Sequence, residues 1–286
     1  MQDDGKGGVG FARLGMIAAL KPLEVALVVM EATGGYETEL ACALQAAGLP
    51  TTTRAGLGSN VIFDALAAGD IDVYVDYSGT LWANQFHHSE IRPRAELLSE
   101  LKTTLGKQDI TLFGELGFEN AYALVMPKAR ADQLGIHTIA DLASHAATMS
   151  IAGDYEFFSR PEWAGIQKSY GLSFRAQRTM QPDFMYAAAA SGEVDVIAGY
   201  TSDGLIAKYG LVTLDDNRHA IPPYDAIVLL SPKRRDDEAL KAALRPLLGR
   251  IDIAAMREAN LRASGNDASS SPEAVARWLW EKVGPK

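Results

Sequence analysis

Two tyrosines, Tyr77 and Tyr200, stand in matched surroundings 123 residues apart. Residues 65–79 read ALAAGDIDVYVDYSG, and residues 188–204 read AAASGEVDVIAGYTSDG. Gly69 aligns with Gly192, Asp70 with Glu193, Ile71 with Val194, Asp72 with Asp195 and Val73 with Val196. Each tyrosine then falls eight residues after its glycine and is followed by Ser or Thr. Paired aromatic faces have a specific chemical use. A quaternary ammonium has no N–H to donate, so ring quadrupoles must hold it, at roughly 0.5–2 kcal/mol per face. Micromolar affinity needs about −8 kcal/mol, so a polar anchor and a fitted shape must add to three or four rings. Two further tyrosines lie beside expected strands, Tyr122 in GFENAYAL and Tyr224 in IPPYDA. Arg160, in the loop IAGDYEFFSRP just before Pro161, could grip a ligand carboxylate bidentately. Each of these has a plainer reading when taken singly: a half-buried tyrosine beside a strand, or a solvated surface arginine.

The elements that would position these groups follow from the hydrophobic pattern. The repeated unit reads as a helix, a glycine cap, a short buried strand and a tyrosine at the strand's carboxyl end. Strands are expected at residues 25–31, 71–75, 110–112, 121–126, 149–151, 194–198 and 226–230. Helices are expected at 37–47, 61–68 with Ser59 as N-cap, 94–105, 139–145, 162–170, 184–191, 238–248, 253–264 and 272–280. This alternation predicts an α/β protein built on mainly parallel sheets flanked by helices. A separation of 123 residues is too long for a solenoid and suits two lobes that each own one copy. Ligands of open α/β sheets sit beyond the carboxyl ends of the strands, so two such lobes would aim Tyr77 and Tyr200 into one cleft.

Composition narrows the function classes. The chain has 286 residues, 48% hydrophobic and 22% charged, which excludes wholesale disorder. Asp and Glu outnumber Lys and Arg by 36 to 27, with no basic stripe, so nucleic acid is not an expected partner. Cys42 is alone, which excludes an internal disulfide and a cysteine zinc site; it reads as a small buried thiol. The five histidines show no metal spacing, and neither a GxSxG elbow nor HExxH is present. The stretch GKGGVG at 5–10 imitates a phosphate-binding loop, but Phe11 and Ala12 replace its Lys and Ser/Thr. No catalytic group, metal or cofactor is expected. No window approaches the ~18–20 apolar residues of a membrane span. The opening Met-Gln-Asp-Asp is acidic where a secretory signal is positive, so no export signal is recognised.

From about Thr53 to Trp280, the chain resembles the osmoprotectant-binding components of ABC importers, which bind glycine betaine, choline and related quaternary ammonium compounds. The likeness rests on GDIDVYVDYSGT, GFENAYAL, GDYEFFSRPE, GEVDVIAGYTSDG and IPPYDA, in that order. It implies a two-lobed periplasmic-binding-protein fold of type II with the ligand cleft between lobes. Lobe one would comprise residues 23–121 plus 225–286, lobe two residues 122–224, and residues 1–22 an atypical N-terminal segment. The resemblance also implies a cage of Tyr77, Tyr122, Tyr200 and Tyr224. Thr80 and Arg160 match positions that contact a ligand carboxylate, and Asn120 one that offers a backbone carbonyl to the methylammonium group. Implied partners are a small quaternary ammonium ligand, a permease and an ATPase, and the implied location is the periplasm.

The first ~50 residues depart from that pattern. The family's opening turn, Gly-Ser-Lys-x-Phe-Thr-Glu, is replaced by Ala32-Thr33-Gly34-Gly35, without the lysine. Losing one charge-assisted hydrogen bond to a carboxylate forfeits roughly 1.5–3 kcal/mol, so choline should lose less than glycine betaine. Residues 28–50 instead resemble the nuclease domain of a DEDD-type insertion-sequence transposase, in which Glu31 would be a metal ligand. Without the remaining acidic ligands, that fragment cannot assemble a two-metal site. Four readings stay open at this level. They are a solute-binding component of an importer, an enzyme on the same scaffold, a nuclease fragment, and a folded relic that no longer binds.

Overall fold

The computed structural model describes residues 28–30, 59–88, 90–265 and 268–283. Glu31, the Ala32–Gly35 turn, Cys42 and the segment 1–22 lie outside the described residues, and with them the expected helix at 37–47. Nine strands are described: β1 (Val28–Met30), β2 (Val73–Tyr77), β3 (Thr111–Glu119), β4 (Tyr122–Pro127), β5 (Ser150–Gly153), β6 (Ala176–Thr179), β7 (Val196–Tyr200), β8 (Leu211–Thr213) and β9 (Asp225–Leu230). The main helices are α1 (Ser59–Ala68), α2 (Arg94–Gly106), α3 (Pro161–Tyr170), α4 (Pro182–Ser191), α5 (Glu238–Leu244), α6 (Ile253–Ala263) and α7 (Pro272–Val283). Ser59, expected as a cap, is the first residue of α1 itself.

The chain divides into two compact units. Unit 1 combines Met1–Asn120 with Tyr224–Lys286, and unit 2 is Ala121–Pro223. Unit 1 holds the sheet β1-β2-β9-β3, and unit 2 holds β6-β5-β7-β4-β8. The α/β expectation holds, but the sheets are mixed rather than mainly parallel. Pairs β1–β2, β5–β6 and β5–β7 run parallel, while β9 is antiparallel to β2 and β3, and β4 to β7 and β8. A parallel neighbour requires a long crossover, usually a helix. β4 and β9 each follow a strand of the other sheet, β3 and β8, so no single helical crossover from a neighbouring strand sets their direction.

Both sheets are covered on two faces, which is why β9 reads as a continuous apolar run. Val228 and Leu230 pack with Leu240, Leu244, Met256 and Leu279 from α5, α6 and α7. Ile227 and Leu229 point the other way, against Phe63 and Leu66 of α1 and Leu97, Leu101 and Leu105 of α2. The four-residue spacing of those leucines is the apolar stripe that makes α2 a surface helix. In unit 2, Leu124, Met126 and Val196 meet Trp163 and Ile166 of α3. Val125 and Ile197, on the opposite face, meet Met185, Tyr186 and Ala189 of α4.

The sequence repeat is a repeat in hydrogen bonding. Gly69 and Gly192 adopt φ 74° and 78°, the left-handed conformation that ends α1 and α4. The Asp70 and Glu193 N–H groups donate to the Ala65 and Ala188 carbonyls at 2.9 Å in each copy. Ile71 and Val194 donate to the same two carbonyls at 3.3 Å. Those donors are committed to the helix cap, so each strand starts two residues later than expected and runs out to its tyrosine.

Candidate functional site

In unit 2, three strand ends converge. β4 begins at Tyr122 and β7 ends at Tyr200, and the two are direct partners in the antiparallel register. Their rings lie 4.7 Å apart between centroids, inclined at 32°. β5 ends at Gly153, where an added Cβ would sit 2.9 Å from Cδ1 of Phe157, so the next residues fold back tightly against it. Asp154 stands at that bend. Its Oδ1 accepts the backbone N–H groups of Glu156 and Phe157, both at 2.8 Å. Its Oδ2 accepts the hydroxyls of Tyr122 at 3.1 Å and Tyr200 at 3.2 Å, and the Tyr200 hydroxyl also lies 3.0 Å from that of Tyr122.

A wall of rings supports this arrangement. Phe157 lies 5.1 Å from Tyr122, and Trp163 lies 5.4 Å from Phe157, between centroids. Arg160 occupies the cap position of α3, with Pro161 in the first turn where its missing N–H costs nothing. The Arg160 guanidinium carbon is 5.4 Å from the centre of the Tyr122 ring. Its Nη2 donates to Glu156 at 2.7 Å, and its Nε is buried with no hydrogen-bond partner among the described residues. Burial, reinforced by the bond from Tyr200, holds the Tyr122 hydroxyl far above its ordinary range. Burial, with the Asp154 charge adding to it, pushes the Tyr200 hydroxyl up to about 12. Both phenols therefore keep their protons at neutral pH and act as donors.

In unit 1, the matching sheet end collects the other expected residues. Tyr77 closes β2 opposite Ala226, and Glu119 closes β3 opposite Asp225. Tyr77 is partly buried against the core. Thr80 lies in the helical turn Ser78–Thr80 that follows β2. The Asn120 N–H donates to the Tyr224 carbonyl at 3.0 Å. Behind them, the Asp225 N–H donates to Ser78 Oγ at 2.9 Å. Arg94, from the start of α2, reaches Glu119 at 2.8 Å and Asp225 at 3.0 Å. Burial pushes the Asp225 carboxyl up to about 6; Arg94 opposes the shift, and Glu119 and Glu115 add to it.

Tyr122, Arg160 and Tyr200 are thus brought together in unit 2, while Tyr77, Thr80, Asn120 and Tyr224 share one end of the unit 1 sheet. Sequence reasoning passed over Asp154, Arg94, Glu119 and Asp225. Asp154 stood inside a motif already singled out, but an acid after a glycine reads as an ordinary turn residue. Electron-rich ring faces beside a buried carboxylate suit an organic cation. Among the described residues, no three His, Cys, Asp or Glu side chains are grouped to hold a metal ion. No helix among them is long and apolar enough to cross a membrane.

Residues 40–281 match the family described as the substrate binding domain of ABC-type glycine betaine transport system. The chain is similar to the ergothioneine transport permease/ergothioneine binding protein EgtU of Helicobacter pylori (strain G27), at 27% identity over 241 residues. That match covers 82% of this chain and 43% of the relative, so the chain spans less than half of the relative's length. The glycine-betaine-binding protein of Pseudomonas aeruginosa is 30% identical over 247 residues, covering 82% of this chain and 78% of that protein. A crystal structure described as a glycine betaine/carnitine/choline ABC transporter superposes with a TM-score of 0.78 at 25% identity, covering 96% of both chains. The architecture is that of the type II periplasmic binding proteins.

Proposed function

The chain belongs to the family of substrate binding domains of ABC-type glycine betaine transport systems, and from that premise we propose that it captures a quaternary ammonium solute for an importer. The observation that carries the proposal is the Tyr122–Tyr200–Asp154 cluster, in which two tilted rings and a carboxylate with no arginine or lysine partner among the described residues are built from three strand ends. In this reading Tyr77 and Tyr224 add ring faces, Thr80 and Arg160 receive a ligand carboxylate, and Asn120 offers its backbone carbonyl. The buried, unpartnered Nε of Arg160 supports that role. The solute is released unchanged to a permease driven by an ATPase, and the protein works outside the cytoplasmic membrane. The Ala32-Thr33-Gly34-Gly35 sequence argues that choline is held at least as tightly as glycine betaine.

Calorimetric titration with choline, glycine betaine and carnitine tests this directly. A ligand at a hundred times its dissociation constant adds about 2.7 kcal/mol to folded-state stability. The melting temperature of a protein this size should then rise by about 5–10 °C. Absence of both heat and melting shift at millimolar concentrations of all three would overturn the proposal.

A further inference from the structure

We propose that Asp154 is the positioning residue that makes this aromatic site prefer positive charge, acting through the hydroxyls of Tyr122 and Tyr200. This rests on the quaternary ammonium reading and specifies how its selectivity arises. The two carboxylate oxygens have separate duties. Oδ1 closes the loop after β5 by accepting the Glu156 and Phe157 N–H groups at 2.8 Å. Capping that loop needs nothing more. Oδ2 is committed to the two phenols, at 3.1 and 3.2 Å.

Burying a carboxylate is costly unless its charge is compensated. Four hydrogen bonds supply that here, and among the described residues no Lys or Arg forms an ion pair with Asp154. Arg160, the nearest guanidinium over the Tyr122 ring, is drawn to Glu156 at 2.7 Å instead. The negative charge therefore remains in the site. A phenol that donates to a carboxylate is polarised toward its ring, because linked hydrogen bonds reinforce one another in a low-dielectric setting. Cation–π attraction grows with the negative potential over the ring face. The carboxylate thus strengthens both faces at once and fixes their mutual tilt, without needing to touch the ligand.

A neutral ligand of the same shape separates this role from a purely structural one. Choline and its uncharged carbon isostere, 3,3-dimethylbutan-1-ol, fill the same space and differ in charge. Wild-type protein and Asp154→Asn are titrated with both by calorimetry. Asparagine keeps the capping oxygen and loses the second acceptor. The expected result is a choline affinity about tenfold weaker in Asp154→Asn, with the isostere changed by less than about twofold. An unchanged choline-to-isostere ratio, including equal loss of both, would overturn the proposal. If Asp154→Asn does not melt cooperatively, the pair Tyr122→Phe and Tyr200→Phe replaces it, since that variant leaves the cap intact. It should show the same fall in ratio, and retention of the wild-type ratio would overturn the proposal. Wild-type protein that binds neither choline nor glycine betaine removes the transport reading and this inference together. Wild-type binding with an unaltered ratio in the variant removes this inference alone.

Discussion

Replacing Tyr200 with alanine and with phenylalanine divides the contribution of a ring face from that of its hydroxyl. Tyr200→Ala should weaken choline binding by about 1–2 kcal/mol, the worth of one desolvated face. Tyr200→Phe should cost less, because the face remains and only its polarisation by Asp154 is lost. Tyr77→Ala should resemble Tyr200→Ala, and calorimetric affinities for the three variants decide the matter. Equal losses for Ala and Phe would mean that the hydroxyl, not the face, holds the ligand. Asp225 gives a second prediction, on pH. Its folded-state carboxyl titrates near about 6, above its ordinary value of 3.8. The stabilising contribution is therefore complete below pH 4 and is lost as the pH rises through 6. Asp225→Asn should remove that decline, so its melting temperature should gain on wild type between pH 4 and pH 7. A constant difference across that range would show that Asp225 is not buried as described. At this scale the strand-end positions of Tyr77 and Tyr200 were legible because a repeated motif marked them. Asp154 and Asp225 were not, since nothing in a linear sequence reveals that a turn acid will lie under two phenols or beside Arg94.

Glycines at two kinds of position show how elements were read well or badly. TLFGELGFE contains two glycines, so the strand was expected to stop at Leu112. β3 instead continues to Glu119, absorbing register shifts at Leu112/Gly114 and Glu115/Glu119 against β9. Glycine inside a strand marks a bulge or a close approach as often as an end. Gly117 has φ 110°, and an added Cβ would meet the Gly249 carbonyl carbon at 3.0 Å and the Ile251 oxygen at 3.1 Å. Gly192 also has positive φ, but open space surrounds its missing Cβ. Gly192→Ala should cost about 1 kcal/mol, for the left-handed backbone alone. Gly117→Ala should cost about 3 kcal/mol, since a strained backbone is combined with contacts to main chain that cannot turn aside. Urea unfolding midpoints compare the two, and equal costs would show that the 249–251 segment yields freely. The helix-cap-strand units were legible because glycine, acid and β-branched residues each have one local preference that agrees with the fold. The exact strand starts were not, because the cap withdraws donors that the pattern assigns to the ladder.

Across the whole molecule, hydrophobic alternation disclosed the α/β class and the family motifs disclosed the binding-protein architecture. Strand direction escaped both, because β4 and β9 each follow a strand of the other sheet rather than one of their own. The position of β9 has a consequence for how the protein is made. It lies between β2 and β3 in the unit 1 sheet, yet it is encoded after all of unit 2. A ribosome releases β2 and β3 as two strands with a gap between them, and then makes more than a hundred further residues before the strand that fills it. At about 5–20 residues per second, unit 1 waits roughly 5–20 s with its central edges unpaired. Unit 2 is contiguous and can complete its sheet during that interval. Released chains truncated after residue 223 but before residue 230 should therefore yield a protease-resistant fragment from unit 2, while residues 59–119 are cut. Protection of unit 1 at that stage would contradict this order. During the same interval the open edges of β2 and β3 invite pairing with another chain, so slow elongation or chaperone shortage should deplete this protein through aggregation of half-made molecules even if the finished form is stable.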